Sequence, residues 1–280
     1  MSWLGQLEGG QAWLDSLPNL LFAAKDRFGI AAFGQPFDSG NVSLVLPIAQ
    51  DGHDAVLKLQ FVHRETQHEA DALALWDGKG AVRLLDHAPA LGALLLERCR
   101  PGELLADVRE VDHLAILSGL LGKLLVPAGD PFNSLVDEAR IWITSMEGDW
   151  LKAGKPCEKH MVDQAVSALS DLIVDETDKV LLHQDLHGHN ILSAERDPWL
   201  VIDPKPLVGD PAFALSPIVR SFEFGHTRKD ALYRLDRLSE DLGLDRERAR
   251  LWTIGQTMAW AFESSHAYRH FETVNWLSKR

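Results

Sequence analysis

Residues 181–205, LLHQDLHGHNILSAERDPWLVIDPK, hold the densest group of chemistry-bearing side chains in this chain. His183, Asp185, His187, His189 and Asn190 fall within eight residues, and Asp203 follows after a short gap. Between them, ILSAERDPWLVID reads as strand, polar turn, strand. In an antiparallel hairpin, the residue before the first strand and the residue after the second share the open end. That topology sets Asn190 and Asp203 together, with Asp185 on the loop just upstream. An amide oxygen and a carboxylate are hard ligands that suit Mg2+, whose octahedron is completed by phosphate and water oxygens. A further carboxylate left off the metal can orient a hydroxyl and accept its proton. A lone Asp ahead of a hairpin is ordinarily a turn former. The joint spacing of Asp185, Asn190 and Asp203 is what points to chemistry. The histidines admit another reading, a zinc hydrolase with His183, His187 and His189 as ligands. It requires three imidazoles on one ion and leaves Asn190 and Asp203 unexplained, so His187 and His189 read as polar loop residues.

The elements that must carry these residues change character along the chain. Residues 11–28 place Leu14, Leu17 and Leu21, beside Trp13 and Phe22, at helical spacing. Two β-rich runs, 42–48 and 55–61, flank QDGHD, whose Asp-Gly is a strong hairpin signal. Residues 64–77 read as a helix with Ala70, Leu73 and Trp76 on one side. Strands are expected around 81–86 and 92–97, closed by Pro101-Gly102. From there on the pattern is helical, with helices expected over 103–126, 131–152, 159–175, 211–224, 229–242, 245–266 and 268–278. The class is α+β, divided into residues 1–100 and 101–280.

HQDLHGHN has the His-x-Asp-x-x-x-x-Asn spacing of the kinase catalytic loop, and VIDPK falls where a kinase has its metal-binding Asp. LLHQDLHGHNIL followed by WLVIDPKPLVGDPAF resembles the aminoglycoside phosphotransferases. With the earlier GAVRLL, it is most similar to their streptomycin 6-kinase and hydroxyurea-resistance kinase branch. The resemblance spans roughly residues 37–265 and is strongly specific over 181–211. It implies a bilobal protein kinase-like fold, with a small β-rich N-terminal lobe and a larger, mainly helical C-terminal lobe. It also implies an ATP- and Mg2+-dependent enzyme that moves the γ-phosphoryl group to a hydroxyl of an aminoglycoside such as streptomycin, and so antibiotic resistance. Asp185 would be the catalytic base or hydroxyl-orienting residue, Asn190 and Asp203 the Mg2+ ligands, and His183 a structural residue of the loop. The same fold also serves kinases of a metabolic alcohol, an amino alcohol or a sugar. A non-catalytic nucleotide-binding protein is opposed by the presence of Lys58, Asp185, Asn190 and Asp203 together.

Phosphoryl transfer needs positioning and charge neutralisation more than covalent help. AVLKLQF supplies Lys58 where a kinase has its strand lysine. A charge on an apolar strand is costly unless paired. Of Glu65 and Glu69 on the next helix, Glu69 is the better partner, since Glu65 at the helix start can favour the dipole. The phosphate-covering turn is PFDSGNVS, which lacks Gly-x-Gly-x-x-Gly and offers Ser39, Gly40, Asn41 and Ser43 beside backbone N–H groups. LLLERCRPG makes Glu97, Arg98 and Cys99 the nucleotide-contact candidates, through their backbone. For the acceptor, Trp260 and Glu263 lie one turn apart on a helix, an aromatic face and a carboxylate suited to a cationic guanidino or amino sugar. Asp210 and Glu223 are further acceptor candidates. Where the wider family has an Asp after GDPAF this chain has Ala214, and Asp210 could cap the helix and bond the catalytic-loop backbone instead.

Composition bounds these readings. A 280-residue chain with 46% hydrophobic and 25% charged residues is ordinary globular material for one or two lobes. Its net charge of −13 repels a phosphate backbone, which excludes a general nucleic-acid role. Residues 221–280 are nearly balanced, 9 acids against 10 bases, so the acid excess lies upstream. Apolar runs such as LGALLL are too short to span a bilayer, and no secretory signal is expected from the first residues. Cys99 and Cys157 make neither a disulfide framework nor a zinc motif, so a reducing cytoplasm is the expected compartment and a small molecule the expected partner.

Overall fold

A computed structural model describes residues 4–37, 42–50, 53–174 and 179–279. The chain divides into two compact units, Met1–Gly102 with Ser193–Ile202, and Glu103–Leu192 with Asp203–Arg280. Residues 193–202 therefore group with the first unit, although the sequence division at 101 places them in the second. The reason is a set of bonds to the first 102 residues. Val82 N donates to Val201 O and Val201 N to Gly80 O, at 3.0 and 2.9 Å. Arg196 donates to both carboxylate oxygens of Glu97 and to the carbonyls of Gly78 and Ala81.

In the first unit, helix α1 (Gly10–Phe28) precedes strands β1 (Ala32–Phe33), β2 (Ser43–Gln50) and β3 (His53–Gln60). Helix α2 (Glu69–Trp76) and strands β4 (Leu84–Ala88) and β5 (Ala93–Glu97) follow. The strands form one antiparallel sheet in the order β1-β2-β3-β5-β4. Side chains alternate along β3. Ala55, Leu57 and Leu59 enter a core with Ala24 and Phe28 of α1, Ile48 and Leu95. Lys58 faces the other way on this central strand, toward α2. The hairpin, both later strands and α1 lie close to where periodicity puts them. Helix α2 starts five residues later than expected, after a run of turns over 64–68.

The second unit is mainly helical: α3 (His113–Leu124), α4 (Leu135–Lys152), α5 (Lys159–Leu172), α6 (Ser216–Val219), α7 (Arg228–Leu242), α8 (Arg246–Ala261) and α9 (Ala267–Ser278). Short strands β6 (Asn133–Ser134), β7 (Val180–Leu182) and β10 (Leu207–Gly209) form a small sheet in the order β6-β10-β7. Strands β8 (Ile191–Ser193) and β9 (Trp199–Val201) pair as the expected hairpin after the loop of residues 183–190. The helix expected over 103–126 begins only at His113, where the Asp112 carboxylate accepts from Ala115 N as an N-cap. The helix expected over 211–224 is cut to a 3-10 turn, Pro211–Leu215, and the four residues of α6, with Pro217 at the start of the latter. Helices α5 and α8 approach closely at Gly255, where a Cβ would lie 2.4 Å from a Leu169 methyl. Among the described residues no helix is long and apolar enough to cross a membrane.

Helix α9 carries a pH-sensitive group. Burial holds the His270 imidazole down at about 3, from 6.5, and the charges of Arg220, His266 and His226 act in the same direction. Below pH 6.5 the unfolded chain takes up a proton here that the folded chain refuses until about pH 3. The contribution of His270 to stability is therefore complete above 6.5 and shrinks as pH falls from there toward 3. Thermal midpoints between pH 7 and 4 are expected to fall less steeply for His270→Gln than for the unsubstituted protein. Parallel slopes would contradict a buried, neutral His270.

Candidate active site

The first unit positions one buried ion pair. Lys58 Nζ donates to Glu69 Oε1 and Oε2 at 2.7 and 2.6 Å, and both residues are at most 4% exposed. The strand places the ammonium in the middle of the sheet and the first turn of α2 brings the carboxylate over it. Glu69 is the partner that the helix pattern favours over Glu65.

The second unit builds the loop of residues 183–190 by bonds to its own helices. Gln184 adopts a left-handed φ of 28°, and Asp185 N donates to His183 O. The Gln184 carbonyl is held by Gln256 Nε2 of α8 at 3.1 Å. Gly188 N donates to Glu223 Oε1 at 2.8 Å, while Phe222 N donates to Glu223 Oε2. A Cβ at Gly188 would lie 2.6 Å from the Phe224 ring and 3.1 Å from the Ala106 amide nitrogen, so only glycine allows this approach. The segment carrying Arg220 and Glu223 is fixed in turn by buried Arg234. Its guanidinium donates to the carbonyls of Val219, Ser221, Phe224 and Gly225.

Asp185 sits beside two cations and an imidazole. Lys205 Nζ lies 3.2 Å from Oδ2, Arg220 Nη2 3.4 Å from Oδ1, and His187 Nε2 3.8 Å from Oδ1. Burial alone would raise the Asp185 carboxyl, but the charges of Lys205, His187, Arg220 and His183 outweigh it and hold the group well below the usual carboxylate range. Both strong cations also rest on one indole: the Arg220 guanidinium and the Lys205 ammonium lie 4.3 and 5.0 Å from the Trp260 ring centroid. Asp185, Lys205, Trp260 and Arg220 thus close a four-membered clamp. Gln256 and Trp260, one turn apart on α8, brace the loop and the clamp from the same helix.

Asn190 and Asp203 flank the β8–β9 hairpin, immediately before it and one residue after it. Asn190 Nδ2 donates to the Asp185 carbonyl at 2.9 Å, which turns its amide oxygen away from that bond and leaves it as an acceptor. Asp203 is half-buried with a left-handed φ of 56°. A hard amide oxygen and a carboxylate are a donor set that fits Mg2+.

Residues 27–270 match the family described as aminoglycoside/hydroxyurea antibiotic resistance kinases. The chain belongs to this kinase family. It is 40% identical over 271 residues to a streptomycin 6-kinase of Streptomyces glaucescens, covering 93% of this chain and 88% of that protein. It is 37% identical to a hydroxyurea phosphotransferase of Kitasatospora aureofaciens, over 89% and 73% of the two chains. A ternary complex of the aminoglycoside phosphotransferase APH(4)-Ia with AMP-PNP and hygromycin B superposes with a TM-score of 0.68 at 14% identity, covering 92% and 97%. The fold is α+β and protein kinase-like, as the catalytic-loop motif implies.

The remaining candidates in this resistance kinase divide clearly. Ser39, Gly40 and Asn41 lie outside the described residues. Glu97 is tied up internally: its carboxylate accepts from Arg196 and Arg83 N, and its own N–H donates to Arg83 O. The side chain and the N–H of Glu97 are thus committed, so a backbone contact to a nucleotide would fall to its carbonyl. Arg98 lies 3.7 Å from Asp54, and half-buried Cys99 follows the end of β5, its thiol pushed up to about 12 by burial and the nearby Glu97 charge. Asp210 is also internal, which corrects its assignment to the acceptor. It caps the 3-10 turn through Ala212 N and accepts from Arg248 Nε and Trp252 Nε1 at 2.8 and 2.9 Å. The cap is realised, with Arg248 and Trp252 as the further partners. Ala214 is buried. Helix α8 ends at Ala261, so Glu263 is not on its helical face one turn beyond Trp260 but exposed past the end. Glu223 bonds the loop backbone, and Trp260 carries the two cations at Asp185.

Lys205, Arg220, Arg234 and Gln256 escaped the sequence reading. Arg220 and Arg234 did leave a signal: a lone arginine ends the apolar run SPIV, and another shares a helix face with Ala231, Leu235 and Leu238. Because Asp210 serves buried Trp252, half-buried Arg248 and a cap, Asp210→Ala is expected to cost about 3 kcal/mol, the scale for removing one partner of a buried pair. Urea unfolding should show a lower midpoint at unchanged slope. A midpoint within error of the unsubstituted protein would contradict the internal role.

Proposed function

We propose that this kinase transfers the γ-phosphoryl group of ATP to a hydroxyl of streptomycin, inactivating the antibiotic, with the 6-hydroxyl as the position named for its relatives. The observation that carries the phosphotransfer reading is Asp185, ionised and clamped between Lys205 and Arg220 on a loop that also supplies Asn190. A carboxylate held so far down is a weak base. It suits orienting the acceptor hydroxyl, which is what a loose phosphoryl-transfer transition state asks for. Lys205 and Arg220 put two positive charges beside Asp185, where they can also meet phosphoryl oxygens. Lys58, fixed by Glu69, serves the α- and β-phosphates. Asn190 and Asp203 would hold Mg2+, which would supply positive charge to the phosphates.

Streptomycin is preferred over hydroxyurea and over amino alcohols because two relatives near 40% identity carry the streptomycin 6-kinase name. A panel of acceptors with labelled ATP tests this choice. Streptomycin is expected to show the highest kcat/KM among streptomycin, other aminoglycosides, hydroxyurea and amino alcohols. A higher value for hydroxyurea or an amino alcohol would replace the acceptor while keeping the chemistry.

A further inference from the structure

We propose that His187, His189 and Glu223 form a second metal site, for a transition-metal dication such as Zn2+, whose occupancy inhibits the kinase. The three side chains each bring a ligand atom within 4.8 Å of the others. Two imidazoles and a carboxylate are the three-ligand set that zinc takes with a water in the fourth position. Asn190 and Asp203 offer oxygen alone, the preference of Mg2+, so the two ions sort by ligand type. Ligand atoms at about 2.0–2.1 Å from one ion lie roughly 3.4 Å apart, so the cluster need contract by no more than about 1.5 Å. His189 is exposed on the turn Gly188–Asn190 and can supply that movement. Glu223 is oriented already. Each of its oxygens accepts one backbone N–H, from Gly188 and Phe222, and each keeps a further lone pair.

The site lies on the loop itself and reaches Asp185 and Asn190 through one ring. His187 Nε2 faces Asp185 Oδ1 at 3.8 Å and Asn190 Nδ2 at 3.4 Å, while Nδ1 accepts from His189 N at 3.3 Å. An ion on Nε2 takes the imidazole from Asp185 and Asn190. An ion on Nδ1 breaks the bond that closes the turn. Either way the segment that carries Asn190 is pulled from its position, and phosphoryl transfer slows. The binding half of this proposal stands on geometry alone, and the inhibitory half rests on the phosphotransfer reading.

Equilibrium dialysis of the full chain against zinc chloride, with activity followed in parallel at saturating Mg2+ and ATP, tests both halves. One zinc ion per chain is expected, with activity falling in step with occupancy and returning on chelation. His189→Ala is expected to keep its zinc-free activity and to bind zinc more weakly by roughly tenfold or more, the scale seen even for outer-shell losses. His266→Ala, a histidine elsewhere in the second unit, should bind as the unsubstituted protein does. Absence of bound zinc, equal affinity for His189→Ala, or loss in His266→Ala instead overturns the site. Zinc bound through His189 with undiminished turnover overturns the inhibition. Absence of any turnover before zinc is added counts against the phosphotransfer reading, and dialysis then decides the site alone.

Discussion

Asp185→Asn is expected to lower kcat by roughly a hundred- to ten-thousand-fold, the range for removing a positioned catalytic side chain, while the chain still folds. The carboxylate is held in one place. Lys205 and Arg220 approach its two oxygens from either side and both rest on Trp260, so the group has one orientation and a full negative charge. Asn keeps the shape but neither the charge nor a second acceptor oxygen. The acceptor hydroxyl then loses its orienting partner in the transition state, and kcat falls further than either KM rises. Trp260→Leu tests the same clamp from its far side. It leaves Asp185 in place but frees both cations, so a smaller loss in kcat is expected with Asp185 chemically intact. Steady-state kinetics of the two variants beside circular dichroism separates these effects. Near-normal turnover by Asp185→Asn would remove the residue from the mechanism.

Glu69→Gln is expected to destabilise the first unit by about 3–5 kcal/mol, because the buried Lys58 ammonium loses its counter-charge. That is a large share of the roughly 5–15 kcal/mol that an ordinary domain possesses. Replacing both partners with apolar side chains, Lys58→Met with Glu69→Leu, should restore most of the stability, since two well-packed apolar groups leave no uncompensated charge. Activity should not return with it. The lysine proposed to serve the phosphates is gone in the double variant, and nucleotide binding should weaken in both. Urea unfolding and nucleotide titration on the two variants give the result. A double variant as active as the unsubstituted protein would show the pair to be structural only.

The parts of this molecule that local rules govern were legible in the sequence. The Asp-Gly turn between β2 and β3, the alternation that buries Leu57 and Leu59 and turns Lys58 to the other face, and the period that selects Glu69 all depend on near neighbours. So does the hairpin flanked by Asn190 and Asp203. What the sequence hid depends on partners far along the chain. Arg196 reaches Glu97 across 99 positions and draws residues 193–202 into the first unit, against the Pro-Gly boundary. Asp210 finds Trp252 and Arg248 on α8, which turns a candidate acceptor contact into an internal anchor. Trp260 promised an open aromatic face for a cationic sugar, but two cations of the protein itself lie on that ring. Strands of two or three residues, such as β6 and β10, are too short for any period to register.

The central claim is that this kinase phosphorylates streptomycin through a loop centred on Asp185. Mass spectrometry of streptomycin incubated with the purified protein, ATP and Mg2+ tests it most directly. A single added phosphoryl group is expected, formed in step with ADP and far more slowly with Asp185→Asn. Unmodified streptomycin at saturating ATP, or the same product from Asp185→Asn at an undiminished rate, would contradict it.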